Sequence, residues 1–91
     1  MCTYQTELLS IEASAKTPSG WSKMTRATVY FDHPVHYPAG HALLIDVLNP
    51  EQGPSARVAL ELSPQSARAL ALAILHTLDT APSALLDERV S

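Results

Sequence analysis

Arg57-Val58-Ala59-Leu60-Glu61-Leu62-Ser63-Pro64-Gln65-Ser66-Ala67-Arg68-Ala69-Leu70 contains the change of period that decides the fold. Up to Leu62 the pattern has period two. Val58, Leu60 and Leu62 face one way, and Arg57 and Glu61 the other, as on a half-buried strand. From Ala67 onward the repeat lengthens to three and four. Ala67, Leu70, Ala71, Ile74, Leu75 and Leu78 fall on one broad stripe of a helix. Ser63 is an N-cap residue type, and Pro64 suits the first helical position, where its missing N–H costs nothing. Ala81-Pro82 stops the helix near Thr80. A strand therefore runs into a helix with almost no connection.

Upstream the pattern predicts three more strands. Thr3 to Ala15 alternates Leu9, Ile11 and Ala13 with Ser10, Glu12 and Ser14. Thr17-Pro18-Ser19-Gly20 is turn chemistry. Thr25 to Asp32 places Ala27, Val29 and Phe31 on one face and Thr28, Tyr30 and Asp32 on the other. His41 to Leu48 is apolar on both sides: Leu43, Ile45 and Val47 on one, Ala42, Leu44 and Leu48 on the other, broken by Asp46. A strand apolar on both sides is covered on both. The expected fold is α+β: a four-stranded, mainly antiparallel sheet followed by one C-terminal helix packed on one face, in the order β-β-β-β-α. Residues 1–80 make one domain and 81–91 a tail. One helix cannot cover both sheet faces. The remaining apolar face, that of Leu44 and Leu48, with Leu72 on the back of the helix, predicts a homodimer.

Composition narrows the function classes. Six basic and nine acidic residues give a net charge of −3, and the basic residues are scattered, so no stripe for nucleic acid is present. No apolar run reaches the roughly 18 residues of a membrane helix. Neither a membrane nor a nucleic acid is an expected partner. The start carries Glu7 and Glu12 before any Lys or Arg, unlike a secretory signal. The single cysteine, Cys2, cannot form an internal disulfide. Together these predict a cytoplasmic protein. Cys2 is also the only thiol nucleophile, although a small buried residue at a strand start explains it as well.

The chemistry-bearing cluster is His33-x2-His36-x4-His41. Three of the four histidines fall in this stretch, stiffened by Pro34 and Pro38. Imidazole is the commonest ligand for a divalent metal such as zinc, and catalytic zinc sites use three protein ligands. His33, His36 and His41 are thus the candidate metal ligands. Asp32 and Asp46 are the candidate catalytic residues, orienting an imidazole or exchanging protons. Tyr30, Tyr37 and Trp21 are candidate ligand-binding aromatics. The alternative is ordinary polar loop histidines in a non-catalytic interaction or ligand-binding module. Arg57 and Glu61, four residues apart on one strand face, read as a surface pair.

Three stretches carry a family likeness: Met1-Cys2-Thr3-Tyr4, Ala27-Thr28-Val29-Tyr30-Phe31-Asp32-His33-Pro34-Val35-His36, and Gly53-Pro54-Ser55-Ala56-Arg57-Val58-Ala59-Leu60-Glu61-Leu62-Ser63-Pro64. Together they resemble a family of small actinobacterial proteins of unknown function. The resemblance implies a bacterial, cytoplasmic, compact domain and brings no activity with it.

Overall fold

The computed structural model describes residues 5–88. Four strands, β1 (Thr6–Thr17), β2 (Gly20–Asp32), β3 (Ala42–Leu48) and β4 (Arg57–Leu62), precede one helix, α1 (Pro64–Thr80). The strands form a single antiparallel sheet in sequential order. This is the β-β-β-β-α architecture expected from the alternation. Ser63 caps α1: its Oγ accepts from the Ser66 N–H at 3.1 Å, with Pro64 in the first turn. Met1 to Tyr4, including Cys2, lie outside the described residues.

The β1–β2 hairpin is longer than the pattern suggested, because Thr17 pairs directly with Gly20 across a two-residue turn. Gly20 has φ +117°, a conformation that favours glycine. The Thr17 hydroxyl donates to the Gly20 carbonyl at 3.0 Å and closes the turn.

β1 departs from simple alternation. Leu9 pairs with Ala27 and Ser10 with Arg26, but Ala13 pairs with Met24. Between the last two pairs β1 advances three residues and β2 only two, so β1 carries a bulge. Its extra residue flips the strand. Leu9 lies on the face of Ala27, whereas Ala13 lies on the opposite face with Met24. The expected common row of Leu9, Ile11 and Ala13 is therefore split. After the bulge Ile11, Ala13 and Ala15 are partly shielded and Thr17 is buried, while Leu9 stays exposed. Met24 is the only large side chain that is completely buried among the described residues.

The buried core is small: Met24, Ala27, Ala42, Leu44 and Ala56. Asn49 is buried beside it and ties two segments together. Its Nδ2 donates to the Lys23 carbonyl and its Oδ1 accepts from the Glu51 N–H, both at 3.1 Å.

β4 has the expected phase. Leu62 pairs with Leu43, Leu60 with Ile45 and Val58 with Val47, so all six share the face of Val29. α1 lies along only one end of that face, against Leu43, Ile45 and Leu62. Leu60 was expected inside, yet it is 45% exposed, because α1 does not reach it. No residue of α1 is buried.

Met24→Ala is expected to cost about 2–5 kcal/mol in urea denaturation, as loss of a fully buried side chain does. Leu8→Ala, at an exposed position of the same sheet, should stay within about 0.5 kcal/mol of wild type.

Candidate functional site

The β2–β3 connection, residues 33–41, forms the site. Asp32 pairs with Ala42, so His33, just after the one, and His41, just before the other, are brought side by side. Their ring centroids lie 4.5 Å apart, and His41 stacks on Phe31 at 5.5 Å with 15° between planes. His33 Nδ1 is 2.6 Å from the Gly40 carbonyl oxygen. A carbonyl can only accept, so Nδ1 carries the proton in this pair. The Asp32 Oδ1 accepts from the His33 N–H at 2.7 Å.

Glu61 of β4 holds the middle of the connection. Oε2 accepts from the Val35 N–H at 2.6 Å, and Oε1 from the N–H groups of His36 and Tyr37 at 2.9 and 2.6 Å. Three successive backbone donors on one carboxylate form an anion-binding nest built from the chain itself. The Tyr37 N–H is the largest cause of a Glu61 pKa below the ordinary glutamate value; burial opposes it, and the Val35 and His36 donors add to it. The connection is thereby drawn across the sheet onto the face of Tyr30, Leu44 and Asp46.

Beneath it lies a cavity of about 400 Å³. Its polar groups are Tyr30, Asp32, His33, Asp46, Arg57 and Glu61, over an apolar floor that includes Leu44 and Ala59. Register explains the gathering. Tyr30 pairs with Leu44 and Arg57 with Leu48, so each stands diagonally from Asp46 on one face. A diagonal neighbour is within reach of a long side chain. The Tyr30 hydroxyl donates to Asp46 Oδ2 at 3.0 Å, and Arg57 Nη2 donates to Asp46 Oδ1 at 2.7 Å. Burial, followed by the Asp46 hydrogen bond and charge, raises the Tyr30 pKa above that of a free phenol. Tyr30 therefore remains a neutral donor throughout the physiological range.

Of the candidate residues, Tyr30, Asp32, His33 and Asp46 meet at this cavity. His41 joins His33 at its rim. His36 and Tyr37 line an adjoining depression with Pro38 and Ala59. Trp21 does not join them. It is 71% exposed at the β1–β2 turn, eleven residues along β2 from Asp32, roughly 36 Å away at strand rise. Among the described residues, no group of three or more His, Cys, Asp and Glu side chains is placed to hold a metal ion.

Arg57 and Glu61 do not pair with each other as their spacing suggested. Arg57 serves Asp46, and Glu61 serves the connection. The available signal was Asp46 itself: an acid in the middle of an apolar strand needs a cationic or hydrogen-bonding neighbour. The capture of backbone N–H groups by Glu61 left no mark in side-chain spacing.

With the geometry in hand, family comparison identifies the chain. A family model described as a family of unknown function, DUF6295, matches residues 1–87. The chain belongs to the DUF6295 family. The match spans all four strands and α1, in keeping with the likeness seen in the sequence. No curated protein and no solved structure matches the chain. No helix among the described residues is long and apolar enough to cross a membrane.

Two outcomes follow from the site. A carboxylate whose pKa is lowered by folding stabilises the fold above the ordinary glutamate pKa of about 4.3, and this contribution is lost as pH falls through the lowered value. Hydrogen-exchange protection of the Val35, His36 and Tyr37 amides should follow that course. In Glu61→Gln, protection should be weaker at neutral pH and lack this acid transition. Asp46→Asn should lower the Tyr30 pKa without returning it to that of a free phenol, because burial remains; ring-carbon NMR titration reads this directly.

Proposed function

We propose that this DUF6295 protein is a homodimeric, cytoplasmic ligand-binding module, and that the cavity under the 33–41 connection takes a small organic molecule with a cationic nitrogen head. One observation carries the reading: Tyr30, Asp46 and Arg57 converge on one face of a roofed cavity. Asp46 is a fixed anion, already oriented by two donors, and a carboxylate retains lone pairs for a third. Asp32 and Glu61 add negative charge, and Arg57 is the guanidinium of the lining. The apolar floor supports a short hydrocarbon body. Ligand sites commonly combine such a floor with a few convergent polar groups. With Asp46 held between Tyr30 and Arg57, the arrangement favours binding over proton transfer.

Isobutylamine and isobutyrate, matched in shape and opposite in charge, are suitable probes for NMR titration. The amine should give saturable shifts at Tyr30 and in the 33–41 amides. Asp46→Asn should weaken it by at least about tenfold. Equal response to both probes, or to neither, rejects the reading. A divalent metal such as zinc at the His33–His41 pair is the second reading, favoured by the ring separation of 4.5 Å. Zinc would shift both imidazoles together and leave the Tyr30 hydroxyl signal in place.

A further inference from the structure

The apolar side of the sheet and the stripe on α1 form one continuous open surface. Between them runs a groove of about 350 Å³, with Val29, Leu43, Ile45 and Leu62 on one wall and Leu70 and Ile74 on the other. Beyond the groove, Leu9 and Leu60 are exposed on the sheet, and Leu75 and Leu78 on the helix. By register, Leu9 and Leu60 lie on the same sheet face as Ala27 and Ile45. A helix gains most of its stability by packing an apolar face. α1 has 17 residues and buries none of them.

Area sets the size of the missing partner. A folded monomer of this mass exposes about 5,200 Å². This chain, at 9.8 kDa, exposes 7190 Å². Even full solvation of the seven terminal residues outside the described range would account for only about 1,100 Å² of the surplus. The remainder is about 900–2,000 Å² per chain. Doubled, it spans the range from a standard interface to an obligate homodimer. The radius of gyration agrees: 15.0 Å, against about 12 Å for a compact domain of this length.

We infer that the occupant is a second copy of this chain, with α1 of each copy laid across the open sheet face of the other. This deepens the homodimer part of the function proposed above by naming its interface, on the face of Val29 and Ile45 rather than that of Leu44 and Leu48, over which the 33–41 connection is drawn. Each copy offers both an unpartnered helix stripe and an unpartnered sheet face, so one twofold axis satisfies both at once. The groove wall carries a single charged residue, Arg68. A surface so nearly uncharged offers no electrostatic match to a polar partner. The helix has no basic face for an anionic bilayer either: its charged residues are Arg68 and Asp79 alone.

The experiment compares wild type, Leu78→Lys and Leu8→Lys by sedimentation equilibrium at micromolar concentration, with circular dichroism to confirm folding. Wild type should be dimeric. Leu78→Lys should weaken association by at least about 100-fold. Leu8→Lys, which pairs with Thr28 on the opposite face, should leave it intact. Isotope-filtered NOEs in a mixed-label wild-type dimer avoid any folding defect of the variants. They should join Leu75 and Leu78 methyls of one copy to Leu9 and Leu60 methyls of the other. A dimer that tolerates Leu78→Lys, or lacks these NOEs, overturns the interface and leaves the homodimer standing. A monomeric wild type overturns both, and its binding to phosphatidylcholine–phosphatidylglycerol vesicles would assign the surface to a membrane. The amine titration is read at Tyr30 and in the 33–41 amides, so failure of the interface and failure of the ligand reading are told apart.

Discussion

A four-stranded sheet that is apolar on both faces has to be covered on both, and this chain has one helix with which to do it. The rest of the structure follows from that constraint. On one face, Glu61 draws the 33–41 connection down as a cover by accepting from three successive backbone N–H groups. The cover contributes His33 and Val35, and the face bears Tyr30, Asp46 and Arg57, so the space between them is lined by polar and apolar groups together. On the other face α1 covers one end only. The two faces therefore differ: one is roofed over a space of about 400 Å³, and the other is left open beside α1.

The parts of the fold visible in sequence were those governed by local period. Val58, Leu60 and Leu62 alternate, Ala67 to Leu78 follow helical spacing, and Ser63-Pro64 marks the boundary; all three reappear in the structure. The β1 bulge was invisible because it depends on how β1 aligns with β2, not on either strand alone. Leu9, Ile11 and Ala13 alternate in sequence, yet one inserted residue sends Leu9 to the opposite face from Ala13. Leu60 shows a second limit. Period assigns a side chain to a face, but only tertiary packing decides whether that face is covered.

The site was legible in part for similar reasons. His33 and His41 flank a strand-to-strand return, and antiparallel geometry brings such ends together. Asp46 was conspicuous as an acid within an apolar strand. The roles of Arg57 and Glu61 depended on diagonal register and on backbone donors, neither of which is encoded in spacing along one strand. Trp21 was grouped with Tyr30 and Tyr37 by residue type. Strand length separates them, since β2 is 13 residues long and Trp21 lies at its other end.

β3 links the two tasks. Leu43 and Ile45 point toward the groove beside α1, while Leu44 and Asp46 point toward the cavity. Successive side chains of a strand are held by one backbone, so the position of Asp46 is set by how firmly Leu43 and Ile45 are packed. In a solitary chain those residues rest against a helix that itself buries nothing, and β4, which carries Arg57 and Glu61, is an edge strand. Packing a second copy over that face would immobilise β3 and β4 together. Asp46, Arg57 and Glu61 would then be held at fixed separations, which lowers the ordering cost of binding at the cavity. In the proposed dimer, association on one face of the sheet would thus support recognition on the other through the alternation of β3, with no contact between ligand and interface.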